Sequence, residues 1–278
     1  GAGGLIGAAL ARHFSTRGEA VPLLHRDLDI ADPQQVRKTV GSIAPDLIVN
    51  CAAVGVDECE RDPQLATALN VAGPSLLARA ASGVGAAIIH FSTNYVFSGE
   101  RTDGGFYLPD DVPEPINTYG RTKLEGERLV REKCSDSWVI RTSWVFGHGK
   151  ESFLATLPQK LMAGEQVVAI TDIFASVTYV EDLVTRLDHL IRVGDHGIHH
   201  ITNDGVCSYA EFAAETASIL GLARSERNDL IENRPADALT RPAPRPRWTP
   251  MRPAISASTG LPPMRSWQKA LASYVATC

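Results

Sequence analysis

The sequence lacks the signatures of several large classes of protein. Its five cysteines, at positions 51, 59, 134, 207 and 278, are scattered and include no C-x-x-C pair, which argues against a disulfide framework or a zinc site. No apolar run approaches the roughly 18 residues that span a membrane, and no signal peptide is visible. The net charge of -5 gives no support for nucleic-acid binding. These absences predict a cytoplasmic protein with reduced thiols and without nucleic-acid or membrane partners.

The chain opens with a glycine-rich segment that runs directly into a helical pattern. Glycines spaced in this way are typical of a dinucleotide-binding turn, where the pyrophosphate approaches the backbone and meets the free N–H groups of a helix N-terminus. The cofactor-binding candidates here are Gly1, Gly4, Leu5, Ile6 and Gly7. Such a turn normally follows a buried strand, so we expect roughly 5–10 further residues, forming a missing first strand, to precede Gly1 in the complete protein.

The next segment bears on the choice of cofactor. A short strand is predicted over 19–24, and in NAD-binding proteins an acidic residue near its end binds the ribose 2′-hydroxyl. Here the strand ends near Arg26, which suits the 2′-phosphate of NADP and is equally typical of a protein surface. Asp29 and Ile30 are placed beside the adenine. The cofactor prediction is therefore NADPH or NADH.

Strands and helices alternate along the chain. Strands are predicted over 46–53, 86–91, 137–146, 166–170 and 198–201, and helices over 32–40, 63–82, 119–133, 153–163, 180–193, 209–220 and 266–275. This alternation predicts an α/β, Rossmann-type doubly wound parallel sheet. Ala52 and Ala53 end one buried strand, where small residues let a cofactor lie against the backbone. We assign residues 1–145 and 172–194 to a dinucleotide-binding domain, and 146–171 and 195–278 to a substrate-binding region.

The residues best suited to catalysis are Thr93, Tyr119 and Lys123. Residues 119 and 123 are four apart on a predicted helix and therefore share one face. A nearby cation favours phenolate, so we expect Lys123 to lower the pKa of Tyr119 towards neutrality. A phenol tuned in this way can exchange a proton with an alcohol or carbonyl oxygen, and a strand-end hydroxyl such as that of Thr93 can bind the same oxygen. The spacing alone is also typical of an exposed helix face.

Other polar residues have either two possible interpretations or no predicted function. Asn70 either orders the cofactor loop or is a satisfied polar residue inside a helix. His199 and His200 are adjacent on a strand and point to opposite faces, so no metal site is predicted. Arginines cluster within 234–263, but they alternate with proline, and this segment is interpreted as a solvated loop.

Together these segments resemble the extended short-chain dehydrogenase/reductases, and within them the dTDP-4-dehydrorhamnose reductase family. The resemblance covers nearly the whole chain. It rests on blocks that occur in the family's order: Gly1-x-x-Gly4-x-x-Gly7, Asp27-Leu28-Asp29-Ile30, Asn50-Cys51-Ala52-Ala53, residues 92–97, residues 119–127, residues 141–147 and residues 178–183.

The resemblance implies an activity and roles for individual residues. NADPH or NADH would deliver hydride to the C4 ketone of a dTDP-sugar, as in the conversion of dTDP-4-dehydrorhamnose to dTDP-L-rhamnose. Tyr119 would protonate the new alkoxide, Lys123 would hold the nicotinamide ribose, and Thr93 would bind the ketone oxygen.

The residues that the resemblance places near the nucleotide sugar are Asn94, Tyr95, Val96, Trp144, Ser176 and Thr178. For Trp144 and for residues 175–178, core packing is the equally weighted alternative. The chain also departs from the family's common pattern. It has Asn94 and Ser98 in place of two aspartates, and Val177 in place of a proline before Thr178, which leaves the identity of the sugar open.

Two other functions come from the same resemblance. The first is a non-catalytic, NADP-binding regulatory subunit like the β subunit of methionine adenosyltransferase. The second is a 4,6-dehydratase, which is disfavoured because Asn94 and Tyr95 stand where that chemistry needs an acid/base carboxylate pair. The expected partner is a nucleotide sugar. A homodimer is one of the oligomeric states left open.

Overall fold

The computed structural model describes residues 1–149, 151–252 and 262–278. Residues 253–261 of the loop predicted over 234–263 therefore lie outside the described residues. The helices of the described residues are α1 Leu5–Ser15, α2 Pro33–Ile43, α3 Val56–Arg61, α4 Pro63–Thr67, α5 Gly73–Val84, α6 Thr118–Lys133, α7 Phe153–Met162, α8 Val180–Val193, α9 Tyr209–Ile219, α10 Arg224–Leu230 and α11 Trp267–Val275. The strands are β1 Leu47–Asn50, β2 Ala87–Thr93, β3 Ser137–Thr142, β4 Val145–Phe146, β5 Val167–Ile170, β6 Phe174–Ala175, β7 Thr178–Tyr179, β8 Gly197–His200, β9 Cys207–Ser208, β10 Ile231–Arg234 and β11 Trp248–Thr249.

A four-stranded parallel sheet forms the centre of the first region. Its strands lie in the order β1-β2-β3-β8. Side chains of neighbouring residues on β2 point to opposite faces, and both faces are buried. Ile88 packs with α2, α5 and α6 on one side, whereas Ile89 packs with α1 and α8 on the other. Helices therefore cover both faces, and the predicted α/β doubly wound fold is confirmed.

A second region packs around its own apolar core. This core joins α7, α9 and α11 through residues such as Leu157, Phe212 and Tyr274. Short pairs of strands, β4 with β7 and β5 with β10, run beside it. The predicted domain boundaries stay a prediction. The prediction assigns β8 to the substrate-binding region, because β8 follows residue 195. In the structure, β8 pairs with β3 in the central sheet.

The predicted strand over 19–24 was wrong. This segment is extended but forms no strand in the described structure. A strand needs a neighbour along its length, and here the terminal amino group of Gly1 and the backbone amide of Ala2 both donate to one carbonyl, that of Leu23. The helix predicted over 63–82 is also not uniform, because a π-helical turn, Ala68–Ala72, joins α4 to α5.

Two further properties concern the described ranges as a whole. Every helix within them is too short or too polar to cross a lipid bilayer. Nor do they contain three or more His, Cys, Asp or Glu side chains grouped closely enough to hold a metal ion.

Candidate active site

The end of β2 places Thr93 at the carboxyl edge of the parallel sheet, where ligands of such folds bind. Thr93 is 6% exposed and caps the 3-10 turn Asn94–Val96 by accepting a hydrogen bond from the amide of Tyr95 at 3.2 Å. Its hydroxyl lies near enough to the phenol of Tyr119 to lower the pKa of that phenol. The strand end and the helix that carries Tyr119 therefore meet at their functional groups.

The start of α6 is held in place by its cap. The side chain of Asn117 accepts a hydrogen bond from the amide of Gly120 at 2.7 Å and donates to the carbonyl of Pro244 at 2.9 Å. Glycine at 120 lets the helix approach closely, because a Cβ there would lie 2.1 Å from the carbonyl oxygen of Tyr95. Local sequence thus fixes both where α6 begins and how closely it packs on the turn after β2.

Tyr119 lies half-buried with its ring edge against Tyr95, the ring centroids being 5.9 Å apart. Burial raises the pKa of Tyr119 to about 12, and the nearby hydroxyl of Thr93 opposes this only in part. The expectation that Lys123 would lower the pKa of Tyr119 towards neutrality was therefore wrong, because loss of hydration outweighs the other influences. A phenol with a raised pKa stays protonated at neutral pH, which suits a proton donor.

Lys123 is almost completely buried, at 2% exposure, one turn after Tyr119. Its amine lies 3.4 Å from Nε2 of His90. Burial lowers the pKa of Lys123 to about 8, while the carboxylate of Glu127 acts in the opposite direction. The amine therefore exchanges its proton near neutral pH, unlike an ordinary lysine.

A buried ion pair supports this side of α6 and was not singled out from the sequence as an interaction. Glu127 accepts two hydrogen bonds from Arg141, at 3.0 and 2.8 Å, and a third from the hydroxyl of Ser92. The side chains of Glu127 and Arg141 are 3% and 2% exposed. The pair ties α6 to β2 and β3 directly behind the candidate catalytic residues.

The glycine turn lies against the end of β1. A Cβ at Gly1 would lie 2.5 Å from the amide nitrogen of Ala52, and a Cβ at Gly7 would lie 2.3 Å from the carbonyl oxygen of Gly1. Gly4 precedes α1, and no side chain caps the helix. The free N–H groups at the start of α1, beginning with Leu5 and Ile6, form the kind of N-terminus that binds a phosphate.

Asn70 orders the loop after β1, which is one of the two interpretations that the sequence allowed for this residue. Asn70 is fully buried in the π-helical turn, and its side-chain oxygen accepts a hydrogen bond from the amide of Val54 at 3.0 Å. Its amide nitrogen donates to the hydroxyl of Thr122 at 3.2 Å. Ala52 is half-buried and Ala53 is exposed in the same loop. Asn70 thus connects this loop to α6.

The three residues predicted for the adenosine end of the cofactor differ in exposure. The Arg26 side chain is 79% exposed, with Nε 3.8 Å from a carboxylate oxygen of Asp27. Asp29 accepts a hydrogen bond from the amide of Ala31, and Ile30 is buried against Gly73. Arg26 is therefore accessible to a ligand, whereas Ile30 belongs mainly to the core.

The residues predicted for the nucleotide sugar also separate into two groups. Tyr95 lies beside Tyr119, and Trp144 stacks on Tyr209 with ring centroids 3.9 Å apart. Trp144 has a φ of 42°, a left-handed conformation that is strained for a bulky residue and occurs often at functional sites. These aromatic rings are suited to lining a pocket.

The others have partners within the protein. Asn94 donates to the hydroxyl of Thr249 at 2.7 Å, and Val96 packs in a small apolar cluster. Ser176 and Thr178 are fully buried, with their hydroxyls bonded to backbone carbonyls. Their contact with a substrate stays a prediction.

Two arginines near Tyr95 and Tyr209 were missed because the sequence was interpreted as a solvated loop. Arg245 forms an ion pair with Asp57 at 2.8 Å, with its side chain only 11% exposed, and lies over the ring of Tyr95. Arg241 and Arg245 both act electrostatically on the phenols of Tyr95 and Tyr209. For Arg245 the interpretation as a solvated loop was therefore wrong. The signal that the sequence offers is the number of arginines in this segment. Whether they approach the site depends on packing between distant parts of the chain, which the sequence does not show.

Comparison with known proteins agrees with this geometry. The sequence model of the family described as the RmlD substrate binding domain matches residues 1–278. A dTDP-4-dehydrorhamnose reductase of Mycolicibacterium smegmatis is 40% identical over 281 residues, which cover 99% of this chain and 84% of that protein. A dTDP-4-dehydrorhamnose reductase of Streptomyces griseus is 37% identical over 289 residues, covering 100% and 92% of the two chains. The crystal structure of a dTDP-4-dehydrorhamnose reductase from Bacillus anthracis, in complex with NADP, superposes with a TM-score of 0.92 at 30% identity and covers 100% of this chain and 97% of that one.

Proposed function

The chain belongs to the RmlD substrate binding domain family, and from this premise we propose that it is an NAD(P)H-dependent reductase of the C4 ketone of a nucleotide-linked deoxysugar. The reaction is of the type that converts dTDP-4-dehydrorhamnose to dTDP-L-rhamnose. One observation carries the proposal: Tyr119, whose phenol lies near the strand-end hydroxyl of Thr93, stands one helical turn before the buried amine of Lys123. These three groups are suited to protonate an oxygen on a carbon that receives hydride.

The glycine turn fits a dinucleotide. Its backbone is so closely packed that a Cβ at Gly7 would overlap the carbonyl of Gly1, and the uncapped start of α1 offers N–H groups to a pyrophosphate. NADPH or NADH, when bound, supplies the hydride. Gly1, Gly4, Leu5, Ile6 and Gly7 would hold its pyrophosphate.

Further residues would hold the rest of the cofactor. Ala52 and Ala53 would let it lie against the loop after β1, with Asp29 and Ile30 beside the adenine. The exposed side chain of Arg26 would meet a 2′-phosphate and favour NADPH.

The chemical roles follow from the burial of the groups. Thr93 would donate a hydrogen bond to the ketone oxygen and hold it beside the phenol of Tyr119. Because the pKa of Tyr119 is raised to about 12, the phenol keeps its proton until a strongly basic oxygen forms at C4. Lys123 would hold the nicotinamide ribose with its amine. A protonated tyrosine in the resting protein favours reduction over oxidation, since oxidation needs the phenolate first.

The nucleotide sugar would lie on the side of Tyr95, Trp144, Asn94 and Val96. The positive charges of Arg241 and Arg245 near Tyr95 support binding of a substrate that carries phosphate groups. Ser176 and Thr178 would shape this side through the backbone that they hold. Since Asn94 and Ser98 replace two aspartates of the common family pattern, the sugar is left open within the class of 4-keto-deoxysugars.

A non-catalytic regulatory subunit is the alternative, and it is not favoured. Relatives that match the chain over nearly its whole length are named as reductases. A regulatory subunit would also have no need for a tyrosine, a threonine and a lysine in catalytic register. Co-purification with a synthetase and absence of turnover would support it.

Turnover of a keto sugar tests the proposal. We expect the chain to oxidise NADPH in the presence of dTDP-4-dehydrorhamnose, with the product carrying a hydroxyl at C4. If NADPH binds but is not consumed with this or related 4-keto sugars, the reductase assignment is wrong. The proposal also includes a cytoplasmic location, which the unpaired cysteines among the described residues support. The homodimer stays a prediction, which the elution volume of the purified chain would check.

A further inference from the structure

A line of buried polar side chains lies behind Lys123. Asn50 and His90 are paired in the parallel register of β1 and β2, so their side chains lie on the same face of the sheet. They are 4% and 0% exposed. Nδ2 of Asn50 lies 3.1 Å from Nδ1 of His90, and Nε2 of His90 lies 3.4 Å from the amine of Lys123. The line thus joins the amine of Lys123 to the end of β1.

The backbone sets the direction of these hydrogen bonds. The amide of Ala52 donates to the side-chain oxygen of Asn50 at 3.1 Å. A flipped Asn50 amide would place its nitrogen against this N–H donor, so the nitrogen must face His90. An amide nitrogen only donates, and Nδ1 of His90 must therefore accept.

This arrangement selects one tautomer of His90. Burial, together with the nearby charge of Lys123, holds the pKa of His90 well below its ordinary value, so the ring is neutral. A neutral imidazole carries one proton. Since Nδ1 accepts from Asn50, that proton lies on Nε2 and points at the amine of Lys123.

An N–H group that points at an amine favours its neutral form, because an ammonium group has only donors. The other groups around Lys123 act in both directions. Burial favours the neutral amine, whereas Glu127 on the same helix, Cys51 after β1 and Cys59 on α3 favour the ammonium form. His90 therefore adds to the effect of burial.

We propose that His90 is a positioning residue that presents an N–H group to the amine of Lys123, and that Asn50 and the Ala52 amide fix the tautomer by which it does so. The effect on catalysis rests on the proposed function, because it requires Lys123 to act in the reductase. The effect on the titration of Lys123 does not.

Two substitutions of His90 separate its roles. In His90→Gln, the side-chain amide can turn its oxygen towards Lys123 and so offer an acceptor to the ammonium group, which leaves Nδ2 of Asn50 without the acceptor that His90 supplies. In His90→Asn, the shorter amide keeps the contact with Asn50 and leaves nothing facing the amine. A hydrogen bond to a charged group corresponds to about one pKa unit or more, so we expect His90→Gln to raise the pKa of Lys123 by about that amount and His90→Asn to raise it less.

The titration can be read directly by NMR of the cofactor-free chain with ¹³C-labelled lysine. The chain has six lysines, and Lys123→Met identifies the signal of Lys123. In the wild type we expect this signal to titrate near pH 8. An unchanged or lower pKa in folded His90→Gln would overturn the proposal.

A second measurement uses the unsubstituted chain, so it does not depend on whether a variant folds. The ¹⁵N shifts of labelled histidine distinguish the tautomers, and His90 is recognised as a ring that stays neutral down to acidic pH. We expect the Nε2–H tautomer, and an Nδ1–H tautomer would contradict the proposal. Neither experiment requires turnover, so failure of the reductase assay and failure of this inference are distinguishable. If the chain is an active reductase, the alkaline limb of its kcat/KM profile should move upwards in His90→Gln together with the lysine signal.

Discussion

Replacement of Tyr119 by phenylalanine removes one hydroxyl from the site and little else. The ring keeps its edge contact with Tyr95 and its place beside the apolar cluster of Val54, Cys59 and Ala66. The hydroxyl that is removed lies near that of Thr93, and loss of one such polar contact should lower the free energy of unfolding by about 1 kcal/mol. The fold and the cofactor site should therefore persist.

The effect on turnover should be much larger. General acid catalysis usually contributes about 10²–10⁴ in rate, which corresponds to about 3–5 kcal/mol of transition-state free energy. We expect kcat for NADPH oxidation in Tyr119→Phe to drop by this factor, while the Kd for NADPH, measured by fluorescence, stays within about twofold of the wild type, since the cofactor site is kept.

A matched control is Tyr274→Phe. The hydroxyl of Tyr274 donates to the carbonyl of Ala155 at 2.7 Å in the second core, away from the candidate site. This variant loses one buried hydrogen bond, but it should turn over like the wild type. Equal turnover in Tyr119→Phe and wild type would refute the role of Tyr119 as the proton donor.

Substitutions of Arg26, Glu127 and Gly7 test the cofactor site and the buried ion pair. Arg26→Ala should raise the Kd of NADPH by about tenfold and leave that of NADH unchanged, because a 2′-phosphate contact is charge-assisted; equal effects on both cofactors in fluorescence titrations would place Arg26 on the surface only. Glu127→Gln should lower the free energy of unfolding by about 3–5 kcal/mol in urea, because it leaves Arg141 buried without a carboxylate; a loss below about 1 kcal/mol would contradict the importance of the pair. Gly7→Ala should weaken NADPH binding by more than about tenfold because its Cβ would lie 2.3 Å from a backbone oxygen of the turn; the control Gly83→Ala, in open space on α5, should bind NADPH normally.

Long periodic segments were predictable from the sequence alone. The helix predicted over 180–193 is found as Val180–Val193, and that over 153–163 as Phe153–Met162. The continuous apolar run at residues 86–91 indicated a strand buried on both faces, and β2 has this environment. Patterns of this kind express local burial, so they are readable without knowledge of distant contacts.

Elements that depend on partners were less predictable. Residues 19–24 have a strand-like composition, yet a strand exists only where a neighbour pairs with it. The short strand Ile231–Arg234, which ends where the Arg- and Pro-rich segment begins, was overlooked because its pairing with Val167–Ile170 joins residues more than 60 positions apart. α10 was also missed, since it has no buried residue and hence no apolar stripe.

The candidate site was predictable in its catalytic residues but not in their electrostatics. Helical spacing placed Tyr119 and Lys123 on one face, whereas the sign of the pKa shift of Tyr119 depended on burial, which a sequence does not show. The contacts of Lys123 with His90 and of Glu127 with Arg141 join α6 to two different strands of the sheet, β2 and β3. Physical proximity between such positions follows from sheet order, which one sequence does not specify.

The transfer of deuterium from the cofactor shows which carbon of the sugar receives the hydride. NADPH labelled with deuterium at C4 of the nicotinamide, prepared separately for each face, would be incubated with dTDP-4-dehydrorhamnose and the chain. The account predicts that one of the two preparations places deuterium on C4 of the sugar, and that Tyr119→Phe slows this step without changing the position of the label. An unlabelled C4 with both preparations, or a label on another sugar carbon, would contradict the assignment as a C4 ketone reductase.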